Sequence, residues 1–593
     1  MRTKSILIAG AALLAVAIPA IAQQAAQTTT PQPATPAPAS QATPATQPAA
    51  NTAQVPADTD LSSAADGDSS VAELSLDTLP APTPPVEYPA QARRDPFMVG
   101  RLDPVRIGLG ENPWGGTSGT FLSSLMRRME APIASRWVHI ALRNALLAKV
   151  HAPRAVNPVD WVAERSWLLL RLGEADAARM LVADVDADRF TPKMVQVGVQ
   201  SALANADPPA LCPLEPGIRK YELGIKALVS AMCASLSGEP ESAAAMIDDA
   251  RRRGRIGGID LLLAQKVVGA VGTGRAATIE WDPVDNLTAW RFCLATATGM
   301  VPPDRLIKPA SVQLRAFQAR APMLSPDQRL NSAQIAAGLG VFSSQSMIDL
   351  YSAVFDSTDN SDLPTTDAWQ VRQAFVGKDR DTKLAAFRKL LGGAKDPLPH
   401  EATRAMLGRA ASLIAPDAKL ESDAPELIAA MFAAGYDRAA ARWAGAVRSM
   451  GDSSGDRCWA MLALGAPNAA GLDLSTSRIN GFIGRDDSKD KVRSALLVGA
   501  LVGLGRITPA TADSLSRRYG LGVGRQSEWT RTIDGAAARG QAGTVLVLAG
   551  TGMQTPDWKQ VPGSHLFHIV AGLARSQQDY FARMIAAEAL ART

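Results

Sequence analysis

The feature that most constrains the fold of this chain is a series of apolar helical segments that each end at a glycine. Glycine closes a helix because it adopts the left-handed conformation without a steric penalty. Glycines of this kind follow apolar segments at Gly173, Gly238, Gly377, Gly435 and Gly540. The apolar residues before them recur at helical spacing, as Leu427 and Met431 do. From Pro104 onward the sequence therefore predicts helix nearly throughout.

Helix starts are marked by a capping residue that is followed by proline. A side-chain oxygen at the cap satisfies free backbone N–H groups, and proline suits the first helical position. The pairs of this kind are Asn157-Pro158, Thr191-Pro192, Asp282-Pro283, Ser325-Pro326 and Thr508-Pro509. Strand-like patterns are scarce, because the one β-branched run, residues 544–548, fits either a strand or a buried helix.

Several glycine turns share a local pattern that is typical of αα-hairpins. After Gly173, Gly238 and Gly435 a polar residue is followed by small residues, which allow two antiparallel helices to approach closely. Residues 172–178 resemble the turn of tetratricopeptide-like repeats, a local resemblance that implies helical hairpins and carries no functional residues. The turns do not recur at a fixed interval. The predicted fold is therefore all-α, an irregular α-solenoid of αα-hairpins rather than a regular array.

The N-terminus has the composition of a secretory signal peptide. Arg2 and Lys4 precede an apolar run, and Ala20-Ile21-Ala22 offers the small residues that a signal peptidase reads. The alternative is an uncleaved inner-membrane anchor, for which the run is short, since a spanning helix needs about 20 apolar residues. No later segment is apolar enough to span a bilayer. We therefore predict a signal peptide over residues 1–22. The excess of arginine over lysine and the abundant alanine suggest a bacterial source, and hence a periplasmic protein.

The predicted domains follow from shifts in composition. Residues 23–92 are rich in Pro, Ala, Gln and Thr and carry a net charge of −7, so we predict a disordered acidic linker. Residues 93–593 carry about +9 and form the helical body. A cluster of Ser, Thr, Asp and Asn between Asp356 and Leu363 divides that body into two helical-repeat halves, 93–356 and 357–593.

Four cysteines are present, and export would permit disulfides. Cys212 and Cys233 are the favoured pair, and their loop would contribute about 3 kcal/mol in the chain-entropy model. The other reading is that all four are small buried hydrophobic residues.

Two motifs match nucleophile signatures without their structural context. Residues 451–455 read G-x-S-x-G around Ser453, but this motif requires a preceding strand, and helix is predicted there. Residues 488–491 read S-x-x-K, with none of the further motifs that accompany a serine–lysine site. We interpret the first as a polar loop and the second as a capped helix start.

Three further patterns are weak ligand signals. His565 and His568 are spaced to share one helix face, but zinc needs three or four ligands and no others lie nearby in sequence. The glycine-rich residues 108–119 lack the lysine of a phosphate-binding loop and are interpreted as the entry to the first helix, with Trp114 packed inside. The basic cluster at residues 251–255 is typical of a solvated helix end.

No catalytic, cofactor or metal residue is therefore assigned, and only the Cys212–Cys233 disulfide is proposed as a site. We expect an exported, periplasmic, non-catalytic helical-repeat protein that binds or organises an envelope protein or a cell-wall component. Its export argues against nucleic acid as a partner. The alternative is a cell-envelope hydrolase whose site is assembled from residues distant in sequence.

Overall fold

The computed structural model describes residues 89–218, 223–254, 257–271, 278–469 and 471–593. In these ranges the chain forms 28 α-helices joined by loops and short 3-10 turns. No strand occurs among the described residues, where the only β-type pairing is an isolated bridge between Leu102 and Ala148. The all-α prediction is confirmed. The predicted signal peptide and nearly all of the predicted linker lie outside the described residues.

The first fourteen helices run to the centre of the chain. Their bounds are α1 (Gly119–Met126), α2 (Arg136–Leu147), α3 (Pro158–Arg171), α4 (Ala175–Ala183), α5 (Pro192–Ala204), α6 (Glu215–Ile218), α7 (Leu223–Leu236), α8 (Pro240–Arg252), α9 (Gly258–Val271), α10 (Ala289–Ala297), α11 (Asp304–Ile307), α12 (Val312–Ala319), α13 (Pro326–Leu339) and α14 (Ser344–Ser357).

The other fourteen helices complete the described chain. Their bounds are α15 (Asp367–Val376), α16 (Arg380–Gly393), α17 (Pro397–Ser412), α18 (Ala424–Ala433), α19 (Asp437–Ala441), α20 (Ala444–Val447), α21 (Asp452–Gly465), α22 (Thr476–Arg485), α23 (Val492–Gly503), α24 (Pro509–Tyr519), α25 (Glu528–Ala538), α26 (Ala542–Gly552), α27 (Gly563–Arg575) and α28 (Asp579–Ala591).

Four of the five predicted helix starts are found, at α3, α5, α13 and α24. The start predicted at Asp282-Pro283 is wrong: these residues form a turn, and α10 begins at Ala289, where the hydroxyl of Thr288 accepts from the Arg291 amide at 3.2 Å. An acidic residue followed by proline suits a turn as well as a helix start. The ambiguous run 544–548 lies in α26, a helix with its residues buried.

All five predicted glycine stops follow the last turn of a helix, and four of them have the left-handed conformation. Gly173, Gly238, Gly435 and Gly540 have φ values of 90°, 89°, 82° and 67°, in the left-handed region that closes helices. Gly377 follows α15 but has a φ of −49°, so that helix ends without a left-handed residue. At Gly173, Gly238 and Gly435 the helices on either side of the glycine pack on each other: α3 on α4, α7 on α8 and α18 on α19.

The buried apolar residues form two clusters. The larger runs from Val99 to Ala589, and the smaller consists of residues between Ala202 and Leu306. In the larger cluster α2 packs against α26 and α28, so helices from the two ends of the described chain share one core. The predicted boundary at residues 356–357 falls in the last turn of α14, with residues of the larger cluster on both sides, and it stays a prediction.

A carboxylate of the last helix caps the second helix. The Ser135 hydroxyl donates to Glu588 Oε2 at 2.5 Å, and the backbone N–H of Arg136 donates to Glu588 Oε1 at 2.9 Å. Arg592 donates to the same Oε1 at 2.7 Å. Because Glu588 is buried, these bonds compensate its desolvation. This contact fixes the start of α2, the helix that forms the floor of the cleft described below.

The cysteines divide into one bonded pair and two buried thiols. The Sγ atoms of Cys212 and Cys233 are 2.08 Å apart, at bonding distance. Cys293 lies in the smaller cluster and Cys458 in the larger one, and burial raises the pKa of Cys458 to about 12. None of the described helices combines the length and the apolar character needed to cross a bilayer.

Candidate functional site

The G-x-S-x-G motif lies at the start of a helix rather than after a strand. Ser453 is exposed in the first turn of α21, and among the described residues its hydroxyl has no hydrogen-bond partner. The amide of Gly451 donates to Glu421 Oε1 at 3.0 Å, so Glu421 lies beside this loop. Among the described residues no histidine lines the cavity that Ser453 faces. In the described structure no base is hydrogen-bonded to the Ser453 hydroxyl, as activation of a serine nucleophile requires.

Ser453 lines a cavity of about 320 Å³, here called the Ser453 cavity. Its arginines are held by carboxylates. Arg485 donates to both oxygens of Asp456 at 2.7 and 3.0 Å, and Arg493 pairs with Asp487. Charges that satisfy one another in this way position the helices and leave little for a ligand to bind.

The S-x-x-K residues do not form a serine–lysine pair. The ammonium of Lys491 donates to the carbonyl oxygens of Ile483 at 2.9 Å and Asp486 at 3.2 Å. The Ser488 hydroxyl accepts from the backbone N–H of Arg493 at 3.1 Å. Both side chains therefore satisfy backbone groups around the start of α23.

His565 and His568 lie on α27 with separate structural partners. His565 Nδ1 is 3.0 Å from the carbonyl oxygen of Gly552, and His568 Nδ1 is 2.9 Å from Asp534 Oδ1. Within the described ranges no three His, Cys, Asp or Glu side chains are grouped as a metal site requires. The two histidines are not brought together with a further ligand.

The glycine-rich entry and the basic cluster contain side chains that make contacts within the fold. Trp114, in the glycine-rich entry, is buried and contacts Trp161 edge to face, with ring centroids 5.3 Å apart. In the basic cluster, Arg253 pairs with Asp249 at 3.0 Å on the exposed end of α8. Arg255 lies outside the described residues.

The strongest candidate site is a cleft that no sequence motif marks. It is a cavity of about 280 Å³ between α2, the turn from α13 to α14, α17 and the end of α18. Three arginines line it: Arg136 and Arg143 from α2 and Arg409 from α17. No Asp or Glu is among the described residues that line it. We call it the arginine cleft.

Arg136 forms the buried floor of the arginine cleft. Its Nε donates to the carbonyl oxygen of Ala337 and its Nη1 to that of Ala433, both at 2.9 Å. These carbonyls belong to the last turns of α13 and α18, where a cation is favoured by the helix dipole. Burial lowers the pKa of Arg136, while Glu401 and Glu588 oppose that shift. Arginine nevertheless stays protonated in proteins, so the floor of the cleft is cationic.

The two other arginines differ in how far they are neutralised. Arg143 Nη1 donates to Glu174 Oε1 and to the carbonyl oxygen of Gly340, both at 3.2 Å. Arg409 is exposed at the rim, and within the described structure its guanidinium makes no ion pair or hydrogen bond. Arg409 is therefore the charge in the cleft that is most available to a ligand.

The start of α14 adds further donors to the arginine cleft. Ser343 caps this helix by accepting from the Ser346 amide at 3.0 Å, and Ser344 and Gln345 line the cleft. The first amides of a helix have no intrahelical acceptor, and its dipole favours anions. Trp137 also lines the cleft, and its indole N–H is buried with no hydrogen-bond partner among the described residues.

Gly340 holds the two sides of the arginine cleft close together. Its φ of 103° ends α13 in the left-handed region. A Cβ at this position would lie 3.1 Å from Ile140 Cγ1 and 3.2 Å from the carbonyl oxygen of Arg136. Glycine therefore serves both the turn and the close approach of α2.

Sequence reasoning missed this cleft because its residues are far apart along the chain. The one signal in the sequence is that Arg136 and Arg143 are two turns apart on a single helix face. Arg409 and the start of α14 join them only through tertiary packing. No protein-family model, curated protein sequence or solved structure matches the chain.

Proposed function

We propose that this chain is an exported, periplasmic, non-catalytic binding or scaffold protein, built as an irregular α-solenoid of αα-hairpins. Its arginine cleft would bind an anionic group of an envelope protein or of a cell-wall component. The observation that carries the proposal is the unpaired guanidinium of Arg409 beside buried Arg136, in a concavity where the described lining contains no carboxylate. Guanidinium groups recognise carboxylates and phosphates through paired donors.

Export is supported by two independent features. The first is the signal-peptide composition of residues 1–22. The second is the Cys212–Cys233 disulfide, because disulfides persist in oxidising compartments and are rare in the cytosol. Protein purified from the periplasm is expected to contain two free thiols under denaturing conditions, and four after reduction. Four free thiols before reduction, or recovery of the full chain from the cytosol, would contradict export.

The binding proposal is tested with a photoreactive residue in the full-length protein. Replacing Gln345 by p-benzoylphenylalanine places a cross-linker in the arginine cleft, and illumination of intact cells should give a discrete envelope adduct. Arg409→Gln should reduce the adduct by about tenfold, the effect of losing roughly 1.4 kcal/mol of binding free energy. The matched control is Arg457→Gln, which alters an arginine that is paired with Glu426. An adduct that is unaffected by Arg409→Gln would exclude the arginine cleft as the binding site.

A cell-envelope hydrolase is the second candidate function, and one contact favours it. Glu421 accepts from the Gly451 amide, which brings a carboxylate to the edge of the Ser453 cavity. If the protein is a binder, Ser453→Ala, Glu421→Ala and His568→Ala each leave adduct formation unchanged. Loss of cellular function in Ser453→Ala or Glu421→Ala, with the fold and the adduct intact, would favour the hydrolase.

A further inference from the structure

A second cavity lies next to the arginine cleft along the same helix. It has a volume of about 250 Å³ and lies between α14 and α15. Its lining is mainly apolar and aromatic, with Tyr351, Phe355, Val371, Phe375 and Val376 as its large side chains. We call it the apolar trough.

The arginine cleft and the apolar trough share Ile348 of α14. Gln345 and Ile348 line the cleft, and Ile348, Ser352 and Phe355 line the trough. Residues spaced by three or four lie on one face of a helix. The two cavities therefore follow each other along a single face of α14, from its first turn to its last.

The length of this path suits an elongated ligand. α14 has 14 residues, which corresponds to about 21 Å at about 1.5 Å per residue. An extended peptide rises about 3.3 Å per residue, so about six residues would cover the path. A free phosphate or a small carboxylate would fill only the arginine cleft.

The polarity of the path changes from one end to the other. The arginines and the start of α14 make the first end cationic. In the trough the Cζ atom of Arg372 lies 4.7 Å from the centroid of the Phe355 ring. Asp356 lines the far end, so the trough contains one positive and one negative side chain. Val376 lies at the edge of the trough and is 66% exposed. Burial of this apolar side chain by a ligand would be favourable.

We infer that the arginine cleft and the apolar trough form one groove for an extended peptide. A carboxylate of the peptide binds at the arginine end, and aliphatic side chains next to it enter the trough. This inference rests on the proposed function and adds the class of ligand. Three observations support it. The arginines of the cleft complement a carboxylate, the trough exposes apolar side chains, and the two cavities are continuous along α14.

The test uses fluorescently labelled synthetic peptides of eight residues and the full-length protein. One peptide carries leucine at alternate positions and ends in a free carboxylate. A second is amidated and has glutamate as its last residue, and a third is amidated with glutamine there. We expect a carboxylate peptide to bind at least about tenfold more tightly than the glutamine peptide, a difference of roughly 1.4 kcal/mol. The first two peptides show whether the carboxylate is a chain terminus or a side chain.

The trough is tested separately with Val376→Ser. This variant should weaken binding of the carboxylate peptide about three- to tenfold, because the leucine side chains lose apolar contact. The matched control is Met323→Ser, which removes an apolar side chain of similar exposure, 60%, that lines neither cavity. Circular dichroism and urea unfolding verify that both variants fold.

The outcomes separate this inference from the proposed function. Inorganic phosphate, and vesicles of phosphatidylglycerol in phosphatidylcholine, serve as competing probes. If phosphate or the vesicles bind in a manner dependent on Arg409 while the peptide binds no more tightly than phosphate, the peptide groove is wrong and the anion-binding cleft stands. If Val376→Ser and Met323→Ser behave alike, the trough is not part of the site. If no anionic probe responds to Arg409→Gln, the proposed function itself fails.

Discussion

The arginine cleft and the Ser453 cavity both contain arginines, but the arginines have different partners. In the Ser453 cavity Arg485 binds Asp456 through two hydrogen bonds, and Arg457 pairs with Glu426 at 3.3 Å. In the arginine cleft the guanidinium of Arg136 donates to backbone carbonyls, Arg143 is paired with Glu174, and Arg409 has no partner among the described residues. A guanidinium that is already paired contributes to structure, whereas one in a concave surface without a carboxylate remains free to bind a ligand. Charge pairing, more than charge itself, distinguishes the two regions.

The largest expected effect is on the Ser453 cavity. Asp456 accepts from Arg485 and also from Arg478, at 2.7 Å, so Asp456→Ala removes the carboxylate that hydrogen-bonds to both guanidinium groups. We expect a loss of about 3 kcal/mol in the free energy of unfolding, measured by urea denaturation. Asp452→Ala is the control, because its side chain is 78% exposed and lies 3.9 Å from Arg485. Equal losses in the two variants would show that the Asp456 pairs are not structural.

Acidification should lower the stability that buried carboxylate–arginine pairs contribute, those of Asp456 among them. Burial raises the pKa of Asp456, but hydrogen bonds from Arg485 and Arg478 outweigh it and hold that pKa below its ordinary value. The pKa of Glu426 is lowered in the same way by Arg404. As the pH falls, the unfolded chain takes up these protons before the folded chain does. The stabilisation is therefore complete above pH about 5 and is lost as the pH falls through the lower pKa values of the folded state.

The pH dependence is measured from the urea midpoint between pH 7 and pH 3. Asp456→Asn should flatten the decline below pH about 4, since one of the titrating groups is gone. A midpoint that falls as steeply in Asp456→Asn as in the unaltered protein would contradict this assignment.

A smaller effect is expected for the backbone of the arginine cleft. Gly340→Ala forces a side chain into the left-handed region and against Ile140 and Arg136. We expect a loss of about 2 kcal/mol in stability together with weaker anion binding. Gly505→Ala is the control, because Gly505 has a φ of 67° and no atom within 4 Å of an added Cβ. Its loss should be about 1 kcal/mol, with binding unchanged. If Gly340→Ala and Gly505→Ala change anion binding equally, Gly340 does not shape the arginine cleft.

The smallest effect on stability is expected for Arg409→Gln. This side chain is exposed and unpaired within the described structure, so the free energy of unfolding should change by less than about 0.5 kcal/mol. Urea denaturation of this variant beside the unaltered protein measures the difference. A decrease of more than about 1.5 kcal/mol in the free energy of unfolding would mean that Arg409 stabilises the fold and is not free to bind a ligand.

The sequence predicted the local elements well and the site poorly. Asn157-Pro158 and Ser325-Pro326 begin helices because capping acts over three or four residues, within reach of local reasoning. Asp282-Pro283 misled because the same residues suit a turn. The G-x-S-x-G match at Ser453 is a local pattern without the strand that gives it meaning. The arginine cleft joins α2 to α17 and to the start of α14, and such tertiary contacts leave no mark in the local sequence.

The most direct test is a matched pair of arginine substitutions, read by calorimetric titration with the peptide that ends in a free carboxylate. Arg409→Gln alters the unpaired guanidinium of the arginine cleft, and Arg457→Gln alters a paired one that lines the Ser453 cavity. We predict that Arg409→Gln weakens binding at least about tenfold and that Arg457→Gln changes it less than about twofold. Equal weakening by both substitutions, or by neither, would contradict the conclusion that the unpaired arginine marks the binding site.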